Sequence, residues 1–306
     1  MTDPRSTGPT AAAGPSVVAL GGGHGLAVAL RAIKSYAGSV TAVVSVADDG
    51  GSSGRLRREL GVAPPGDLRK CLVALAATGN VWAEAFEHRF GAGALDGHAL
   101  GNLMLVGLSE TLGDLTLALD AAGGVLGAVG RVRPATTEPV VLKADVDGES
   151  VEGQVLVASM HGRIRRVELV PGDVPAHPDA VAAIGAADQI VLAPGSLYTS
   201  LLPVLAVPEL REALASSPAR VTQVCNLRPE IPETEGLDAV DHLRAVLEHG
   251  ARVDVLLGAQ TGALPIDVAA AEALGVAVIV ADVAASSGAV HDPERLAEAL
   301  WRLLDS

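Results

Sequence analysis

Aromatic side chains are almost missing from this chain of 306 residues: two Trp, two Tyr and two Phe, 2% of the total. That scarcity excludes an aromatic platform on which single-stranded nucleic acid stacks. Cysteine is equally scarce. Cys71 and Cys225 build neither a disulfide framework nor a CxxC metal knuckle, and a reducing, cytoplasmic compartment is the expectation. Basic residues are outnumbered, 22 Lys and Arg against 36 Asp and Glu, for a formal net charge of −14. Such a balance argues against nucleic acid or an anionic membrane surface as partner. No charge-free apolar run is long enough to cross a bilayer, so no membrane insertion is expected. Residues 1–15, rich in Thr, Pro, Ala and Gly, lack the basic-then-apolar order of a signal peptide and read as a disordered tail.

What is present is Ala, Val and Leu, within an apolar content of 49% that is ample for a large core. Short continuous apolar runs alternate with stretches of helical periodicity. The pattern predicts a Rossmann-like α/β domain over residues 16–306, with a largely parallel sheet and helices on both faces. Between about 130 and 170 the rhythm changes. Pro139–Asp145, Val151–Ala158 and Ile164–Val170 read as short antiparallel strands, with Asp147-Gly148 as a turn, which makes an inserted β element. Helices are expected over Leu26–Tyr36 and over Asp114–Ala122, the latter stopped by Gly123-Gly124.

The stretch from Val46 to Lys70, VADDGGSSGRLRRELGVAPPGDLRK, organises the rest. Asp48 and Asp49 follow the apolar run Val40–Val46, which places them at a strand's carboxyl end, where open α/β sheets bind ligands. Gly51, Ser52 and Ser53 supply a loop that approaches a ligand closely. Arg55, Arg57, Arg58, Arg69 and Lys70 against Glu59 and Asp67 make a local positive patch in an acidic protein. That patch suits a small anionic ligand or, equally, an exposed charged helix face. Asp67 reads as the N-cap of the helix that Gly66 opens.

A second glycine loop, Gly21, Gly22, Gly23, His24 and Gly25, leaves the preceding run Ser16–Leu20 and opens a helix. Backbone N–H groups and the dipole at such an N-terminus favour a phosphate, and the same pattern also serves as a tight turn. Leu26 stands where the dinucleotide fingerprint has its third glycine, which weighs against a dinucleotide-dependent oxidoreductase. His24 either donates to a phosphate or caps locally. A third loop, Ala193–Ser200, offers Gly195 and the hydroxyls of Ser196, Thr199 and Ser200, with N-capping by Ser196 as the plainer reading. Asn226 ends another strand at the same edge. Asn102, one turn into an apolar helix, is either a ligand group or a buried amide.

GGGHGL, VADDGGSSGRLRRELGVAPPGDLRKCLVALA, HALGNL and APGSLYTSLLP together resemble the gluconeogenesis-factor family, YvcK-like proteins of bacteria related to the 2-phospho-lactate transferases. The resemblance runs from Val17 to Asn226 with the motifs in order. It implies a Rossmann-like fold that binds UDP-sugars, UDP-N-acetylglucosamine above all. It also implies a regulatory role in carbon metabolism, peptidoglycan synthesis and cell shape, exerted through a protein partner, with no catalytic residue and no required cofactor. Carried over, the ligand-binding residues are Gly21–Gly25, Asp48, Asp49, Gly51, Ser52, Ser53, Arg55, Asn102, Gly195, Ser196, Tyr198, Thr199 and Asn226. His24 departs from the threonine of Bacillus-type relatives. The alternative is a metal-dependent transferase in which Asp48 or Asp49 holds Mg²⁺ against a diphosphate. A homodimer or higher homo-oligomer is expected from so apolar a composition.

Overall fold

The computed structural model describes residues 14–304, so the expected tail over residues 1–15 lies almost wholly outside the described part. Among the described residues the strands are β1 (Ser16–Gly21), β2 (Ser39–Val44), β3 (Arg131–Pro134), β4 (Val141–Val146), β5 (Glu149–Glu152), β6 (Ile164–Val170), β7 (Gln189–Leu192), β8 (Arg220–Val224), β9 (Val255–Ala259) and β10 (Ala277–Ala281). Seven of them form one sheet in the order β10-β9-β8-β7-β1-β2-β3, and neighbouring strands are parallel throughout. The central strands β1 and β7 are buried almost end to end, which is why their sequences are continuous apolar runs rather than alternating ones.

From β1 the chain moves outward to β2 and β3. It then returns to β7, on the other side of β1, and moves outward the opposite way. The chain thus winds outward from the centre in two opposite directions, and the reversal opens a crevice between the carboxyl ends of β1 and β7. The Gly23–Ile33 helix packs between the Gly66–Leu75 and Pro293–Arg302 helices, while Pro178–Gly185 and Pro208–Ser216 pair with each other. This is the α/β, Rossmann-like architecture expected.

The smaller sheet, order β5-β4-β6, is antiparallel. Asp147 (φ 52°) and Gly148 (φ 90°) both enter the left-handed region, as the two-residue hairpin between β4 and β5 requires.

Three local expectations are corrected. The segment Val151–Ala158 is not a strand: β5 stops at Glu152, Gly153 turns at φ 102°, and Gln154–Ser159 is a helix. The Asp114–Ala122 helix does not stop at Gly123-Gly124. It spans Leu115–Leu126 and ends at Gly127, in the left-handed conformation that a helix terminus favours. The change of rhythm at about 130 begins with β3, which belongs to the main sheet, so the antiparallel insertion starts only at β4. Arg133 anchors β3. Its almost fully buried guanidinium meets Asp120 at 2.7 and 3.0 Å and Asp179 at 2.8 Å, tying two helices to that edge.

Candidate functional site

The glycine loop turns off β1 with Gly21 at φ 148° and Gly23 at φ 63°. The helix that follows has Gly22 as N-cap, a residue with no side chain to satisfy the first N–H groups. A distant carboxylate does it instead: Asp67 Oδ2 accepts from Gly23 N at 2.7 Å. Asp67 is therefore not the cap of its own helix, whose N-cap is Pro65. A Cβ on Gly22 would lie 2.7 Å from Asp67 Oδ2 and 3.3 Å from Ser200 Oγ, and one on Gly25 only 1.9 Å from the Pro194 carbonyl oxygen. Glycine at these places lets the first and third loops touch.

Asp48 lies mostly buried beside this junction. Its Oδ1 accepts from Gly50 N at 2.9 Å, and Oδ2 faces Gly66, where a Cβ would sit 3.3 Å away. Burial raises its carboxyl above the usual range, and the charge of Asp67 adds to this. The Gly50 N–H, the Ser53 hydroxyl and Lys70 oppose the rise. Lys70 Nζ meets Asp67 Oδ1 at 3.0 Å. Lys70 is also the largest influence on His24, lowering its imidazole below the ordinary value. Burial acts in the same direction, while Asp67 and Glu87 act against it. Asp48, Asp67, Lys70, His24 and Ser53 thus form one electrostatic group at the carboxyl ends of β1 and β2. The sequence expectation missed Lys70 as an individual member, and it missed the reach of Asp67 to another helix. The only signal was their place in PPGDLRK.

The other expected residues divide. Asp49 accepts from Gln154 N (3.1 Å) and Val155 N (2.9 Å), so both its oxygens cap the short helix of the insertion. Ser52 and Asn102 belong to a buried chain of bonds. Asn102 Nδ2 donates to Ser52 Oγ at 3.0 Å, Ser52 meets His98 Nδ1 at 3.0 Å, and Arg69 Nε donates to Asn102 Oδ1 at 3.1 Å. Gly51 (φ 48°) begins the Gly51–Leu60 helix, and Arg55 on that helix donates to the Asp96 carbonyl at 2.5 Å. Asn226 clamps Gly195 from both sides, accepting from its N–H at 2.9 Å and donating to its carbonyl at 2.8 Å.

In the third loop, Ser196 Oγ donates to Glu233 at 2.7 Å, and the backbone N–H groups of Tyr198 (2.7 Å) and Thr199 (3.2 Å) point at the same carboxylate. The anion held by this turn in the structure belongs to the protein. Burial raises the Glu233 carboxyl above its usual range, against the opposing hydrogen bonds. Glu233 gave no sign in the sequence, because nothing local marks a carboxylate that returns across the chain.

A cavity of about 220 Å³ opens at the switch point, between His24 and Gly25 of the first loop, Pro194 and Gly195 of the third, and Asn226 and Arg228 after β8. Among the described residues no group of three or more His, Cys, Asp or Glu is placed to hold a metal ion.

The model of the CofD family, described as 2-phospho-L-lactate transferase CofD, matches residues 17–293. A relative from Mycobacterium leprae (strain TN) is 47% identical over 307 residues, covering 94% of this chain and 85% of its own length. The gluconeogenesis factor of Bacillus subtilis (strain 168) is 42% identical over 237 residues, 77% of this chain and 75% of that protein. A crystal structure of a UPF0052-family protein from Bacillus halodurans superposes with a TM-score of 0.90 at 38% identity, covering 94% of this chain and 99% of the other.

Proposed function

We propose that this chain, which belongs to the CofD family and within it to the gluconeogenesis-factor group, is a nucleotide-sugar-binding regulator of carbon metabolism. Its ligand is of the UDP-N-acetylglucosamine type. The observation that supports this reading is the meeting of the glycine loop, Asp48 and the Asp67–Lys70 pair beside the β1–β7 crevice. Lys70, rather than Arg55, is the cation beside the glycine loop, and it serves the diphosphate as a point charge. Asp48 and Asp67 accept from ribose, uracil or sugar hydroxyls. The cavity between His24 and Arg228 takes an uncharged ring of the ligand. Binding acts on peptidoglycan synthesis and cell shape through a protein partner in the cytoplasm. No helix among the described residues is long and apolar enough to cross a membrane.

Calorimetric titration with UDP-N-acetylglucosamine tests the assignment. Lys70→Met and Asp48→Asn should each weaken binding at least about tenfold, about 1.4 kcal/mol. Unchanged affinity in both variants would remove this group from the ligand site.

A second reading, a phospholactyl transferase, is favoured by the description of the matching family model. Asp49 has both oxygens engaged by backbone N–H groups, and Asp67 has one on Gly23 N and the other on Lys70, so Asp48, with backbone N–H on Oδ1 alone, is the carboxylate left to face a divalent cation. Such an ion would supply oxygen-bound charge neutralisation for a diphosphate. Transfer to a deazaflavin acceptor, assayed with and without Mg²⁺, decides for or against it.

A further inference from the structure

The two edges of the large sheet differ. The β3 edge is defended: Pro134 lacks a donor, and Arg133 is locked into ion pairs with Asp120 and Asp179. The β10 edge carries no such device. Its sequence, Ala277-Val278-Ile279-Val280-Ala281, has no charge and no proline, and Ile279 and Val280 are 41% and 42% exposed. Among the described residues β10 pairs with β9 alone.

The backbone sets which groups are available. Ala277 N donates to the Asp254 carbonyl, and the Ala281 carbonyl accepts from Gln260 N, so residues 277 and 281 turn their polar groups toward β9. Backbone direction alternates along a strand, so Ile279 does the same, and Val278 and Val280 direct theirs to the open edge. The five residues also form a palindrome about Ile279. An antiparallel pairing with a two-fold axis through Ile279 sets Ala277 opposite the partner's Ala281 and Val278 opposite the partner's Val280. In that register Val278 and Val280 make the hydrogen-bonded pairs, and the two Ile279 residues make the closer, non-hydrogen-bonded pair. The outward groups permit this register, and the palindrome is centred on it. The first charge beyond the strand, Asp282, is already paired with Arg295 at 2.8 Å, so it does not repel its copy.

We infer that β10 is a homodimer interface. Two copies pair antiparallel about Ile279 and join their seven-stranded sheets into one continuous sheet. The half-exposed apolar side chains of Val268 and Leu274, on the connection leading into β10, extend the contact. An interface built on one short strand is small, so the dimer dissociates on dilution.

Ile279→Cys tests the register directly. A non-hydrogen-bonded antiparallel pair holds its Cα atoms about 4.5 Å apart, within the span of a disulfide. Cys71 and Cys225 are buried, so the new thiol is the accessible one. Mild oxidation should convert most of the variant to a covalent dimer, reversed by reductant. Sedimentation of the unmodified protein should show a monomer–dimer equilibrium. Val280→Pro, which removes an outward N–H and leaves the ladder to β9 intact, should shift it at least tenfold toward monomer with unchanged circular dichroism. A protein that stays monomeric at every concentration overturns the inference. So does a dimer that resists Val280→Pro while Ile279→Cys fails to cross-link, because it would use another surface.

Discussion

Asp67 and Gly23, 44 residues apart, are joined by a 2.7 Å hydrogen bond in which a carboxylate caps the helix leaving the glycine loop. The other oxygen of Asp67 holds Lys70 at 3.0 Å. One side chain therefore fixes the loop and positions the cation beside it. Asp67→Ala should cost about 1–2 kcal/mol, the usual loss for an N-cap, seen as a lower denaturation midpoint with an unchanged slope. Asp67→Asn keeps an acceptor for Gly23 and should lose less stability while releasing Lys70. Equal losses in the two variants would mean that the cap contributes nothing.

Gly25 leaves no room for a methyl group, because a Cβ would stand 1.9 Å from the Pro194 carbonyl oxygen. The obstacle is backbone, which cannot rotate away. Gly25→Ala should cost about 3 kcal/mol by overpacking and reduce ligand affinity by parting the first and third loops. Thermal unfolding and titration of the same sample measure both effects.

Glu233 makes a pH-dependent contribution whose sign follows from burial. Its folded-state carboxyl titrates above the ordinary range, so the folded protein binds the proton more tightly than the unfolded chain does. Stability falls as pH rises from the ordinary carboxylate value through the raised one. Glu233→Gln keeps an oxygen for the Tyr198 and Thr199 N–H groups and an amide for Ser196. Its stability at pH 7 should stay within about 1 kcal/mol of the original, with that part of the pH dependence gone. Glu233→Ala strands the buried donors and should cost about 3 kcal/mol. Paired melting curves from pH 4 to 7 separate the two.

His242 and His291 are both lowered to about 4 by burial, below the ordinary 6.5 of an exposed imidazole. The unfolded chain takes up these protons first. The stability tied to each is full above pH 6.5 and lost as pH falls toward about 4. A shift of this size corresponds to about 3 kcal/mol per histidine. Replacing His242 with Leu should flatten the acid limb of the stability profile between pH 6.5 and 4; a slope that does not change would contradict the assignment.

The sequence displayed the strand–loop–helix plan clearly, because β1 and β7 are buried on both faces and read as uninterrupted apolar runs. It was silent wherever a side chain acts at a distance. The Gln154–Ser159 helix hides inside a strand-like stretch because its cap, Asp49, lies 105 residues earlier. Asp67 looked like a local cap and Glu233 like nothing at all, although each satisfies the N–H groups of a loop that invited an external anion. The glycines were legible as close approaches. Part of what approaches Gly22, Gly25 and Gly66 is the protein itself: Asp67, Pro194 and Ser53. Asn102 was visible as a polar group in an apolar helix and Ser52 as part of a ligand-facing loop, and the structure places both in a buried chain with Arg69 and His98.

The most direct test of nucleotide-sugar binding is thermal unfolding with UDP-N-acetylglucosamine, UDP-glucose, UDP, NAD or buffer, each with and without Mg²⁺. A ligand at 100 times its dissociation constant adds about 2.7 kcal/mol, several degrees even for a domain of this size. The account predicts an upward shift with the UDP-sugars, none with NAD, and a shift cut to about half or less in Asp48→Asn. Unfolding temperatures that no uridine nucleotide moves would contradict it.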